Sequence, residues 1–576
     1  MNGLNNKFKD WQNNHAFCIS VLFVFCFASF GLPLLVGIPS SVDLITDMRF
    51  ALALKEAMLS HQLFPGWAND NFGFGSIGIR FYPPLAFYLL ALTEMLTANW
   101  FWAIWANLLI WMFLGSVGIY VFVREWGTPV QGLLAGMVYA IVPQHLSEAF
   151  QFFVFAQFAA WAVIPFCFLF VTRICRKKNW LDVLLFAISY SALILTHLPT
   201  TIIVSLSLPI YVLVVMDWQR YVDVFARLAT SIALTLAATS FRWVTLVGEF
   251  TWLAHNDPRW RSGYFLYSQW LFPNILTERK YYIWVLTSWI MDICILLSVA
   301  LLIPGIIYLI KSRKERSGVA WRIIAGAMCT SIFAFFMLSR PSQFVWDGIP
   351  FLQKIQFPSR WLSVLSFAAV ATFAFSVPRL VGIFKHVGRL VAYPTLALVV
   401  TIVLFNITQI IIPSGPIPKA KFDSVESKVQ EEPMFEGWWP VWAKKEALTQ
   451  NAEPFADGRQ IEIKDRENTY QIIEVSPGNP TDLIVPTFYY PYWKATLNAR
   501  PVTVSLNDNG VITVPLTGES ATVKLYFEEP FRNVLAGWIS LAAWLVLGVA
   551  LIAHRGLVPF RWQARKPVLS EQLNQA

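Results

Sequence analysis

Apolar runs of about 20 residues recur along this chain, and such a run has one favourable place to be, because a helix of that length spans the hydrocarbon of a bilayer. Composition points the same way. Of 576 residues, 56% are hydrophobic, 16% aromatic and only 14% charged, too little polar surface to cover a water-soluble particle of this length. The sequence is that of an integral membrane protein. Its net charge of +9 calls for no nucleic acid partner, since Lys and Arg gather in short tracts between spans such as RICRKK (Arg173 to Lys178) and KSRKER (Lys311 to Arg316), the pattern of loops kept in the cytoplasm. The six cysteines fall in or beside apolar runs and form neither a disulfide framework nor a metal-ligand spacing.

Window reading gives about 12 spans. The first, about Phe17 to Leu35, follows Lys7 and Lys9 with no convincing cleavage site, so it reads as a retained signal anchor with a cytoplasmic N-terminus. LAFYLLALTEMLT (Leu85 to Thr97) is short, carries Glu94, and is expected to lie beside the membrane rather than cross it; with that choice all the basic tracts fall inside. The expected organisation is a transmembrane core over 1–412 with outer loops at about 39–99, 143–153, 249–281 and 339–360. A polar segment follows at 413–530, then a final span and cytoplasmic tail at 531–576. In that segment runs such as TYQIIEV, GVITVPL and ATVKLYF alternate between Asn, Gly and Pro turns, the signature of a small antiparallel β domain. The fold class is therefore mainly α, a polytopic membrane protein, with a β-sandwich-like domain outside the cytoplasm near the C-terminus.

The first outer loop concentrates acid, glycine, aromatic and proline residues in a chain that is otherwise mostly oil. Asp47 is its leading candidate for chemistry, a carboxylate at the water-lipid boundary. The competing reading makes it the N-cap of a helix beginning at Met48. Asp43 is either a second carboxylate or a solvated loop residue. Gly73, Gly75 and Gly78 lack the flanking strand and helix of a dinucleotide site and read as a turn permitting close approach.

The first loop's Asp followed by FPGW, GFG and FYPPLAFYLLAL, together with QFPSRW ending a late outer loop, resembles the bacterial membrane family labelled 6-pyruvoyl-tetrahydropterin synthase-related, and more widely the GT-C glycosyltransferase superfamily. Nothing in the chain resembles a soluble pterin enzyme with zinc-binding histidines. The resemblance implies a transferase using a polyprenyl-phosphate-linked sugar donor, with the first-loop acid, Asp47 here, as catalytic base. The His that the family carries just after this acid is replaced by MRFA, and a Glu of its second outer loop by Gln157, with Glu148 nearby.

Such chemistry needs a base for the acceptor proton and cations for the charge growing on the leaving phosphate. Arg360 in QFPSRW, an outer cation against the inside bias, is the first phosphate candidate, or else an interfacial anchor beside Trp361. Lys354, Arg242 and Arg259, with Arg261, are the others. Trp67, Tyr82, His145, Glu148, His197, Glu249 and Gln356 are expected to line the substrate pocket, with His197 also readable as a span cap. No metal ligands are assigned and no cofactor is required, although a divalent metal beside Asp47 is compatible with the chemistry. The partners expected are the polyprenyl-phosphate sugar, membrane lipids and a glycan, lipid or protein acceptor, with the protein in the bacterial inner membrane and both termini cytoplasmic. A transporter or flippase of lipid-linked glycans, and a non-catalytic scaffold displaying the β domain, are the alternatives. The first predicts polar groups at mid-membrane, the second outer-loop residues that do not converge.

Overall fold

Nine helices are long and apolar enough to cross a membrane among the residues that the structure, a computed structural model, describes. Those residues are 14–62, 64–257, 266–277, 282–316, 318–383, 388–411, 416–449 and 452–557. Shorter apolar helices at Leu85–Thr97, Trp180–Thr196 and Tyr393–Gln409 accompany them. Two of the expected spans are built differently from a plain rod. The third is a helix of only 12 residues, Pro129–Ala140, about 18 Å long. A Thr128–Gln131 capping box opens it, and Pro143 starts a fresh short helix, Pro143–Ser147, just beyond its end. The seventh is interrupted at Thr239, giving Tyr221–Ala238 and Ser240–Glu249. There Thr239 and Ser240 hydroxyls donate to the Thr235 and Ala237 carbonyls, competing with the helical ladder.

The C-terminal polar segment is β-rich. Strands β1 (Ile38–Pro39) and β2 (Pro416–Ile417) pair antiparallel, tying the start of the first outer loop to the start of this segment. The strands that follow are β3 (Ile461–Glu467), β4 (Tyr470–Val475), β5 (Thr481–Phe488), β6 (Trp493–Leu497), β7 (Arg500–Val502), β8 (Ser505–Leu506), β9 (Val511–Leu516) and β10 (Ala521–Phe527). They form a five-stranded sheet, β3-β4-β10-β6-β7, and a three-stranded sheet, β5-β9-β8. A two-residue turn at Asn498 and Ala499, both at positive φ, joins β6 to β7, as the right-handed twist of a tight hairpin demands.

The first outer loop does not stand apart from these sheets. Trp67, Phe74, Ile77 and Phe81 belong to the same apolar cluster as Ile473, Val485, Tyr490, Trp493, Val514 and Leu525. Gly75 permits this closeness. It sits at φ +84, and a Cβ there would lie 2.3 Å from the Trp67 ring. The other large cluster packs the transmembrane helices together with the helix Val42–Leu59 and the helix Leu85–Thr97. Lys55 of the first pairs with Glu94 of the second at 2.6 Å.

Candidate active site

The helix Val42–Leu59 carries both candidate acids, Asp43 and Asp47. Its N-cap is Ser41, whose hydroxyl accepts from the Asp43 N–H at 3.2 Å. Asp47 therefore lies inside the helix and caps nothing, which removes the reading that started a helix at Met48. Residues 43 and 47 are one turn apart and share a face. Asp47 is 7% exposed. Burial first, then the neighbouring charge of Asp43, pushes its carboxyl well above the usual range, opposed by the Phe155 N–H that it accepts. Asp43 is open to water, yet enough protein surrounds it to raise its carboxyl as well, against the pull of Arg360.

Arg360 comes from the QFPSRW turn. Gln356 sits there at φ 66 and ψ −62, a sparsely populated conformation for a residue with a side chain, and the Phe357 N–H closes the turn onto the Ile355 carbonyl at 2.8 Å. Arg360 donates from Nη1 to that same carbonyl at 2.6 Å and lies over the Phe357 ring. Its charge reaches Asp43, Tyr82, Glu148 and His197. Glu148 is buried and accepts from Gln144 at 2.8 Å and from Gln157, both on Oε1, while its Oε2 has no hydrogen-bond partner among the described residues. Burial outweighs those donors and Arg360, and its pKa rises to about 8. His197, buried and bonded through Nδ1 to the Thr200 hydroxyl at 2.8 Å, is held neutral by burial first and by Arg360 second. Burial, and after it the charge of Asp47, raises the Tyr82 hydroxyl. Its ring packs on Phe50, Phe87 and Trp438.

Other expected site residues stand elsewhere. Lys354 rests over the Phe250 ring at 4.6 Å. Gln356 meets His255 at 3.2 Å, and His255 stacks on Trp438 with rings 5.4 Å apart, so the turn is joined to the segment leading into the β sheets. His145 is packed between Tyr139 and Trp161, bonds the Tyr139 carbonyl through Nδ1, and is lowered to about 3 by burial. Trp67 lies in the apolar cluster of the β sheets against Trp493 and Phe527, not at an open sugar face. Arg242 donates to the Ile79 and Arg80 carbonyls. Arg259 and Arg261 lie outside the described residues. Among the described residues no group of three or more His, Cys, Asp or Glu is placed to hold a metal ion.

Glu249, expected in the pocket, is instead the centre of a rivet. Arg80 donates to it from Nε at 2.5 Å and from Nη2 at 3.1 Å. Tyr490, Tyr492, Asn533 and Arg532 donate at 2.8, 2.9, 2.8 and 3.2 Å. Arg80 also grips Glu529, and its guanidinium lies over the Tyr492 ring at 5.1 Å. First loop, outer helix, β sheets and final helix are thus locked at one point. Arg49 works similarly, two residues beyond Asp47. It donates to the Lys428, Val429 and Glu432 carbonyls at the end of helix Asp423–Glu431.

The fold and site define a multi-pass membrane protein in which the helix Val42–Leu59 and the QFPSRW turn bring two acids and an arginine within electrostatic reach of one another. The sequence model described as "6-pyruvoyl-tetrahydropterin synthase related domain; membrane protein" matches residues 79–414, more than half the length, and the chain belongs to that family. Among solved structures it is similar to ArnT from Cupriavidus metallidurans in the apo state, at 16% identity and TM-score 0.39, covering 63% of this chain and 59% of that one. The same protein bound to undecaprenyl phosphate gives 15%, 0.40, 63% and 60%. The Archaeoglobus fulgidus oligosaccharyltransferase in complex with Zn and sulfate gives 14%, 0.36, 73% and 58%. The chain thus spans about three fifths of the length of these structures. No curated protein matches the sequence.

Proposed function

We propose that this protein is a glycosyltransferase of the bacterial inner membrane that moves a sugar from a polyprenyl-phosphate-linked donor to a glycan, lipid or protein acceptor outside the cytoplasm. The observation that carries this reading is the reach of one guanidinium, Arg360, to Asp43, Tyr82, Glu148 and His197 on separate elements. In this reading the donor phosphate meets Arg360 at the membrane boundary while its tail stays in lipid. The acceptor hydroxyl attacks the anomeric carbon, the bond from that carbon to the phosphate oxygen breaks, and the electron pair departs with the polyprenyl phosphate.

Asp43 takes the acceptor proton. It is the water-accessible member of a pair that cannot ionise twice cheaply. Asp47, whose carboxyl burial holds well above the usual range, positions its neighbour, so in this reading the role first expected of Asp47 passes to Asp43. Glu148, neutral below about pH 8, offers a hydrogen bond from its unpartnered Oε2 to the phosphate instead of a repelling charge. His197 stays neutral and adds no competing cation.

The test supplies polyprenyl-phosphate sugars to the purified protein in lipid and measures released polyprenyl phosphate. Asp43→Asn is expected to lower turnover by about 10²–10⁴-fold, and Asp47→Asn by less. Equal turnover by Asp43→Asn and wild type, or no release from any donor by wild type, would overturn the reading.

A further inference from the structure

The opposite membrane face carries a second constellation of charge. Helix Phe155–Arg176 has 22 residues, about 33 Å of rise. Its first residue bonds Asp47, so its last residue lies a full hydrocarbon thickness from the Asp47 site. Around that far end most cations are spoken for. Lys177 pairs with Glu125, Arg173 with Asp182 at 2.7 Å, and Arg220 and Arg227 share Asp223 at 2.5 and 2.8 Å.

Arg176, Lys178 and Arg322 have no carboxylate at ion-pair distance among the described residues. Arg322 donates to the Met216 carbonyl at 3.1 Å. The charges of Arg220 and Arg322 reach Arg176, with Asp217 the acid in range. Like charges held together cost energy unless an anion offsets them.

Of these cations, Lys178 lines a recess of about 540 Å³, together with Gln219, Arg220, Tyr221, Val222, Asp223 and Ala226, and the charge of Arg220 links the recess to Arg176. Its surroundings are those of a membrane interface. Trp180 and Trp218 are each 55% exposed, at the level where indole rings settle. From the recess an exposed apolar stripe runs along helix Tyr221–Ala238 through Val222, Phe225, Ala229, Ile232 and Leu236, at the spacing of one helix face. Lys178 beside the Arg220–Asp223 pair, the aromatic collar and the apolar stripe follow in the order of a phospholipid's headgroup, interface and acyl chain.

We propose that this recess binds the phosphate headgroup of an anionic phospholipid of the leaflet opposite the Arg360 site, with one acyl chain along the Val222–Leu236 stripe. Positive-inside bias alone accounts for basic residues at this face, but it requires neither the recess nor its continuity with that stripe.

Native mass spectrometry of the full-length protein with added phosphatidylglycerol or phosphatidylcholine tests it. Wild type is expected to retain phosphatidylglycerol in preference. Arg176→Gln with Lys178→Gln is expected to reduce that preference by roughly 25-fold, about fivefold per basic residue, and Val222→Asp to weaken retention with the charges intact. Equal retention of the two lipids, an unchanged preference in the double variant, or displacement of the lipid by millimolar inorganic phosphate, which would mark a site for a soluble anion, each overturn the proposal. Thermal midpoints equal to wild type identify the variants as folded.

Discussion

Glu249→Gln is the perturbation that bears hardest on how the outer parts are joined. The substitution keeps the side chain's size and exchanges one carboxylate oxygen for an amide that donates. If the amide takes the Oε2 position, it faces Arg80 Nε and the Tyr490 hydroxyl, which now donate to Oε2 at 2.5 and 2.8 Å. The tyrosine hydroxyl can turn and accept, but the guanidinium cannot. A hydrogen bond to a charged partner contributes about 1.5–3 kcal/mol, and half-breaking a buried ion pair puts the loss at about 3 kcal/mol.

The acid's own titration gives the same size. Burial alone would raise Glu249, but Arg80, Asn533 and Tyr490 bring it from the ordinary 4.5 down to about 2, worth about 3 kcal/mol in favour of the charged form. Because the folded value is depressed, that stability is fully present above about pH 4.5 and is lost as pH falls toward 2. The assay is hydrogen exchange of amides in β4 and β10 in lipid nanodiscs, which reads the free energy of opening. At pH 7 Glu249→Gln should quicken exchange roughly 150-fold, and wild type should approach the variant as pH falls below 4. Exchange within threefold of wild type at pH 7 would refute the rivet.

Two further outcomes follow from single residues. Gly75→Ala places a Cβ at φ +84 and 2.3 Å from the Trp67 ring, so it should cost about 2–4 kcal/mol and lower the thermal midpoint of the outer region; an unchanged midpoint would show the turn to be more pliant than drawn. Glu148 becomes charged as pH rises through about 8, so the donor KM should climb above that pH in wild type, while Glu148→Gln flattens the climb; parallel profiles would remove Glu148 from phosphate binding.

Spans and sheets were legible in the sequence because each follows from a local pattern. Apolar runs have the length a bilayer fixes, and strands such as β4 and β10 alternate at period two. The break at Thr239 was not, since it depends on Ser240 donating to the Ala536 carbonyl as well as to the Ala237 carbonyl of the preceding helix. QFPSRW and the first-loop acids were singled out from sequence, but which acid meets water depends on the third dimension. Asp43 and Asp47 differ in burial, not in type. A signal was present in Ser41, a good N-cap two residues before an acid, which places the helix start ahead of both. Arg80 escaped notice for another reason. Its partners Glu249 and Glu529 lie 169 and 449 residues away, and no spacing announces such an encounter. Trp67 and Glu249 looked like pocket residues because loops with aromatics and acids often line pockets; here the first loop is absorbed into the β sheets' core instead.

The most direct measurement of the central claim is the structure of the protein in nanodiscs with a non-hydrolysable polyprenyl-phosphonate sugar. The account predicts the phosphonate within hydrogen-bond distance of Arg360, the anomeric carbon facing the Asp43 carboxyl, and loss of that occupancy in Arg360→Ala. A phosphonate bound away from the QFPSRW turn, or bound equally well without the guanidinium, would contradict it.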